Sequence, residues 1–185
     1  MAIKINVRKA TGEYDQGVSK MLGNPVITED ILNSLPPSAM FLMQIRLEDI
    51  KDLDTENVLP HQGYLYFFLD TEDGLYSLKP IIIYYDGEPT HFIDGFNDVV
   101  EGFEQYNQDY LITFEACEDS SDGNKLLGHP SDWQYQETTD RLLFQLDPLA
   151  SAEMDLFSSF DGFLYFFFDG DTIDFKKVKL IEDLS

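Results

Sequence analysis

The octapeptide Gly63-Tyr64-Leu65-Tyr66-Phe67-Phe68-Leu69-Asp70 returns as Gly162-Phe163-Leu164-Tyr165-Phe166-Phe167-Phe168-Asp169, with six of eight residues identical at a spacing of 99. Each copy is a short, unbroken apolar run rich in aromatic residues. That composition predicts a strand buried on both faces. Two further blocks repeat in the same order. Lys20-Met21-Leu22-Gly23-Asn24-Pro25 returns as Lys125-Leu126-Leu127-Gly128-His129-Pro130, and Phe41-Leu42-Met43-Gln44-Ile45 returns as Leu142-Leu143-Phe144-Gln145-Leu146. Ordered repetition with so little drift in spacing reads as an internal duplication. Either half alone would expose a flat aromatic strand, an aggregation hazard. The expected architecture is therefore a β-rich α+β domain spanning residues 1–185. Two duplicated half-domains, related by a pseudo-twofold axis, place the aromatic-rich strands at the centre. Repeat A runs over about 18–75, an insert over about 76–118 and repeat B over about 119–181.

Local patterns fill in the rest. Ile3, Ile5 and Val7 alternate with polar residues as in a half-buried strand. Thr28 reads as an N-cap for a short helix carrying Ile31, Leu32 and Leu35, ended by Pro36-Pro37. Met40 to Leu47 reads as a strand. Ile81 to Tyr85, followed by Asp86-Gly87 and His91 to Ile93, gives a hairpin signal. Phe96, Val99, Val100, Phe103 and Tyr106 fall at helical spacing and predict an amphipathic helix over 96–106. Tyr110 to Phe114 predicts a strand and Glu115 to Asn124 an acidic loop. The second half then repeats the first, with strands at 142–146, 163–168 and near 175–181 and a short irregular or helical stretch at 148–157.

Charge bounds the function. The chain carries 35 acidic against 12 basic residues, a net charge of −23, and no Lys or Arg between residues 80 and 124. Such a field repels nucleic acid, whose phosphates need a cationic footprint, and anionic membrane surfaces likewise. It reads either as solubility or as a surface that steers a basic partner. One cysteine, Cys117, allows no internal disulfide. No leader-like or membrane-spanning segment is read, so a cytoplasmic protein is expected.

Chemical motifs are scarce. The nucleotide-binding, hydrolase and metalloprotease signatures are missing from the sequence, and the three histidines stand singly. Asp70 to Gly74 and Asp119 to Gly123 resemble fragments of a calcium loop, but neither has the glutamate six residues after the glycine. No catalytic residue, metal site or cofactor is predicted. The duplicated polar residues are the constellation left. Gln44 and Gln145 interrupt apolar strands, where an unsatisfied amide costs about 1–3 kcal/mol. They, with Lys20 and Lys125, either satisfy backbone groups locally or line one ligand cleft between the repeats. The Gly of each Lys-x-Leu-Gly-x-Pro block supplies a positive φ and the Pro stiffens the exit.

These same blocks resemble the YwqG-like family of bacterial proteins. Its pattern matches Ser19 to Pro25, Met43 to Ile45, Gly63 to Phe68, Lys125 to Gln134, Leu142 to Asp147 and Gly162 to Phe167, nearly the whole chain. Two departures stand out. The family's double glycine is Leu22-Gly23 and Leu127-Gly128 here, and its Trp-Gly before the last aromatic strand is replaced within Ser158 to Asp161. The resemblance implies duplicated halves and a soluble bacterial protein, and it brings no established activity or cofactor. A loose association of relatives with toxin–immunity gene neighbourhoods implies an immunity-type role. The leading expectation is thus a binding protein that neutralises a basic partner through an acidic face at Glu101, Glu104, Glu118 and Asp119. The alternative is a small-molecule-binding or enzymatic domain using Lys20, Lys125, Gln44 and Gln145. A structural module without any site is the third reading.

Overall fold

The computed structural model describes residues 1–74, 77–99, 104–131, 138–150 and 162–183. Its framework is one antiparallel sheet of ten strands. At the centre lie β1 (Ala2–Lys9) and β8 (Tyr110–Cys117), paired from Ala2 opposite Cys117 to Lys9 opposite Tyr110. On the β8 side follow β2 (Lys20–Met21), β4 (Ala39–Arg46), β5 (Tyr64–Asp70) and β6 (Lys79–Tyr85). On the β1 side follow β9 (Lys125–Leu126), β10 (Leu142–Leu146), β11 (Phe163–Phe168) and β12 (Val178–Asp183). The two repeats thus build the same four strands outward from a shared central pair. Both carry a bulge at the same place, between Phe41 and Met43 and between Leu142 and Phe144. The sheet curls until its edges β6 and β12 come together, giving a near-barrel.

The aromatic octapeptides form β5 and β11 and are buried on both faces. They do not occupy the centre of the sheet, contrary to expectation. Each lies one strand in from an edge. The central pair has strands that alternate between buried and accessible positions, whereas β5 and β11 need cover on both sides. Curling supplies it. Phe67, Phe144 and Phe166 meet inside the barrel, while Tyr66 and Phe68 point outward under a second layer with Ile27, Ile31 and Phe96. In the other repeat Leu142, Tyr165 and Phe167 form the outward cluster.

The α+β class is also overturned. The described residues carry little helix, and the one α-helix among them, α1 (Glu29–Ser34), has six residues. Thr28 caps it, its hydroxyl accepting from the Ile31 N–H at 3.2 Å. Of the helix expected at 96–106, residues 100–103 lie outside the described residues, and the described ends are two 3₁₀ turns, Phe96–Val99 and Glu104–Asn107. The reason is that Phe96 and Tyr106 serve different layers, the outer cluster and the barrel interior, which one helix face cannot do. Between them Asn97, fully buried, plugs the β4 bulge. Its Oδ1 accepts from the Phe41 N–H and its Nδ2 donates to the carbonyls of Phe41 and Tyr106. The expected hairpin is absent too. β7 (His91–Phe92) pairs with β3 (Val26–Ile27), not with β6. Glu115 to Cys117 belong to β8, so the acidic loop begins at Glu118. Most of the stretch 148–157, and all of Ser158 to Asp161, lie outside the described residues. Among the described residues, no helix is long and apolar enough to cross a membrane.

Candidate functional site

The duplicated turns come first. Leu22 and Gly23 have φ of 56° and 71°, and Leu127 and Gly128 have 61° and 76°. Two successive left-handed residues reverse the chain sharply. A leucine there carries about 1–2 kcal/mol of strain, tolerated where its side chain is buried, as both are. The glycine has a second reason besides φ. A Cβ on Gly23 would fall 1.4 Å from Asp109 Oδ1, and one on Gly128 2.7 Å from the Asp119 carbonyl.

Gln44 and Gln145 clamp these turns. Gln44 Oε1 accepts from the Val26 N–H at 2.9 Å, and its Nε2 donates to the carbonyls of Gln16 and Val18. Gln145 repeats the arrangement with the Ser131 N–H at 2.9 Å and the Gly123 carbonyl at 2.8 Å. Each side chain ties the chain entering a turn to the chain leaving it.

The lysines sit beside the glutamines, Lys20 opposite Gln44 and Lys125 opposite Gln145 in the ladders, and both are fully buried. Lys20 Nζ donates to Gln16 Oε1 at 2.9 Å and to Asp109 Oδ2 at 3.1 Å, flanked by the rings of Tyr14 and Phe92. Asp109 is itself buried and also accepts from the Tyr14 hydroxyl and the Asn24 N–H. Burial pushes the Lys20 ammonium below its ordinary value while Asp109 draws it back up. Burial, helped by the carboxylate, raises the Tyr14 phenol, which stays protonated as the donor. Lys125 has no such carboxylate among the described residues. Ala2 occupies the ladder position matching Asp109, and Nζ donates to the carbonyls of Asp119 and Ser121 at 3.0 and 2.5 Å. Burial pushes Lys125 down to about 8.

That depression has a measurable consequence. The folded state holds Lys125 at about 8 and the unfolded chain near lysine's ordinary value. The unfolded state therefore binds more protons between those two values, and folding stability rises with pH across that window. The penalty is fully present below about pH 8 and gone above about 10.5. Lys125→Met removes it. The stability difference between variant and wild type, read by urea titration, should shift by about 2 kcal/mol toward wild type from pH 7.5 to 10. The variant's lost hydrogen bonds add only a pH-independent offset.

The two Lys–Gln pairs are not brought together. β1 and β8 stand between them, three strand spacings or about 14 Å. The acidic quartet is split as well. Glu104 precedes β8 and Glu118 follows it, with a strand roughly 23 Å long between. Glu101 lies outside the described residues. Glu118 is exposed, next to half-buried Asp119.

Asp119 leads to the site that sequence reasoning missed. It borders a recess of about 260 Å³ built on the second turn, Leu127 to Pro130. Asp54, Glu56, Asp140 and Asp171 also line it, against Arg141, His129 and Met1. Asp54 is buried and holds its own loop, accepting from the N–H groups of Val58 and Leu59 and facing His61 Nε2 at 3.2 Å. The Met1 amino group, 2.8 Å away, keeps the Asp119 carboxyl below the usual carboxylate range. Carboxylates scattered through the sequence leave no local signal of this convergence. Among the described residues, no three His, Cys, Asp or Glu side chains are grouped to hold a metal ion. No family model matches the chain, and no curated protein matches its sequence.

Proposed function

We propose that this chain is a non-catalytic binding protein for a basic partner, of the immunity type that neutralises what it holds. The observation that carries this reading is the recess at the second turn. Five carboxylates from four chain segments line it, and the turn beneath gives it a stiff backbone floor. A net charge of −23 adds long-range attraction for a cationic surface. Lys20, Lys125, Gln44 and Gln145 are hydrogen-bonded inside the fold, so the ligand-cleft alternative lacks the residues it named. The tandem left-handed residues of both turns support the resemblance to the YwqG-like family, whose pattern has two glycines there.

The test is retention of a basic partner from the host lysate on immobilised protein at low and high salt. Exposed charges are screened beyond about 8–10 Å at physiological ionic strength, so retention should fall as salt rises. Reversing Glu56, Glu118 and Asp171 to lysine should abolish retention and leave the melting temperature within a few degrees of wild type. Undiminished retention by that variant overturns the proposal.

A further inference from the structure

Strand β8 outruns its neighbour. β2 pairs with it at Tyr110 and Leu111, and the Ile112 N–H still donates to the Ser19 carbonyl at 3.1 Å. There the first repeat turns away. The Val18 N–H donates back to the Asp15 carbonyl, and the Gly17 carbonyl accepts from the Tyr64 hydroxyl. Backbone groups alternate sides along an antiparallel strand, so Phe114 and Ala116 aim their N–H and C=O the same way as Ile112. Among the described residues, neither has a hydrogen-bond partner on that side. A cleft of about 340 Å³ opens there, between Val18, Arg46 and Asp49 on one side and Ile112 to Phe114 on the other. Phe114 is half-buried and Ala116 exposed.

A row of open strand backbone is complementary to another extended chain. The flanking side chains say of what kind. Phe114 packs against the barrel interior, so a residue opposite it meets an apolar surface. Glu115 lies on the outer face, where it pairs with Lys4 at 3.3 Å. Across the cleft Arg46 is taken up by Asp49. Exposed Asp15 and Glu118, at the two ends, make no ion pair among the described residues, so the edge keeps a surplus of negative charge. The twofold repeats the device on β1, beyond Ile5, whose N–H donates to the Asn124 carbonyl at 2.8 Å. That edge carries the exposed Arg8 and Lys9, and is cationic. Joining β8 of one copy to β1 of another would match these charges locally but bring together two molecules of net charge −23. A separate basic partner is attracted at both ranges.

We propose that the open edge of β8, Phe114 to Cys117, takes up an extended segment of a partner by strand addition, a segment that alternates apolar with basic side chains. Its charge rests on the reading of a basic partner given above. Its geometry does not use the recess.

The probe is a short capped peptide alternating valine with lysine, added to the full chain and followed by amide exchange in nuclear magnetic resonance. Exchange at Phe114 and Ala116 should slow about tenfold at saturating peptide, while Thr113 and Glu115, already bonded to β1, should not change. N-methylating the valines, which oppose Phe114 and Ala116, should abolish binding. N-methylating the lysines, whose N–H groups face away, should not. Replacing lysine by glutamate should weaken binding roughly tenfold at low salt and less at high salt. Ala116→Pro removes one donor from an edge where proline is tolerated. It should weaken the peptide several-fold and leave the melting temperature within a few degrees of wild type. Reversing Glu56 and Asp171 in the recess should leave the peptide's affinity within about threefold, so failure of the recess and failure of the edge read separately. Unchanged exchange at Phe114 and Ala116 overturns the proposal, as does equal loss from methylated valines and methylated lysines. A glutamate peptide that binds as tightly as the lysine peptide overturns it too. So does an assembly in sedimentation, formed without peptide and dispersed by Ala116→Pro, which would place a second copy on the edge.

Discussion

Asp109→Ala is expected to destabilise the domain by about 3–5 kcal/mol at neutral pH, the cost of leaving a buried charge without its partner. Lys20 is fully buried, and Asp109 is the carboxylate that compensates it. The substitution also removes the acceptor of the Tyr14 hydroxyl and the Asn24 N–H, so the first turn loses an anchor at the same moment. The size is bounded from above. An uncompensated lysine can deprotonate, at about 1.36 kcal/mol for each unit between its ordinary value and the working pH. Lys125 shows that a buried lysine held by carbonyls alone is structurally possible. Two controls separate charge from shape. Lys20→Met in the Asp109→Ala background should recover much of the loss, since an apolar replacement of the buried pair no longer strands a charge. The single variant should also regain stability relative to wild type as pH rises toward 10, because deprotonated Lys20 pays no burial penalty. Guanidinium unfolding at neutral and alkaline pH measures both. A loss below about 1 kcal/mol would mean that water reaches Lys20 and the pair is ornamental.

The buried Lys–Asp pair also marks where reading the sequence stopped. Lys20 and Lys125 announce themselves by repetition, and so do the glutamines, because a polar residue within a duplicated apolar strand has few roles. Their hydrogen bonds are short-range and follow the repeat, Gln44 and Gln145 each spanning one turn. Asp109 does not follow it. Its counterpart is Ala2, so repetition hides it, and its 89-residue separation from Lys20 leaves no local pattern. The acidic recess is hidden for the same reason, since Asp54, Asp119, Asp140 and Asp171 become neighbours only once the sheet has curled.

Strands were legible because β1, β4, β5, β10 and β11 carry their alternation or aromatic runs within one segment. Their placement was not. Aromatic runs were expected at the sheet centre, and instead they lie near its two edges and meet across the near-barrel interior. Burial on both faces is compatible with either arrangement, and the sequence holds no term for curvature. The helix expected at 96–106 has 3₁₀ turns at its two described ends. Periodicity counts apolar residues without saying which layer each will join, and Phe96 and Tyr106 join different ones.

Phe67→Ala should cost a further 3–5 kcal/mol, and it addresses how the two repeats depend on one another. Phe67 belongs to the first repeat, yet its ring lies 5.4 Å from Phe144 and 5.9 Å from Phe166, both of the second, in edge-to-face geometry. Such pairs add about 0.5–1.5 kcal/mol each beyond area burial. Truncation therefore opens a cavity where the repeats touch. Phe68 is as deeply buried, but its ring contacts, Phe41, Tyr66 and Phe96, stay within the first repeat and its cover. If the barrel interior makes one cooperative unit, amide probes in β4 and β10 should unfold at the same denaturant concentration in wild type and in both variants. Against a total of 5–15 kcal/mol, Phe67→Ala would then bring the whole domain close to its folding threshold. Separate transitions for β4 and β10 would mean that each repeat holds itself together through its outer cluster. In that case Phe67→Ala should cost far less than Phe68→Ala. The palindromic sheet admits both outcomes. The expected one follows from where the rings meet: the inner cluster joins residues of both repeats, while each outer cluster belongs to its own.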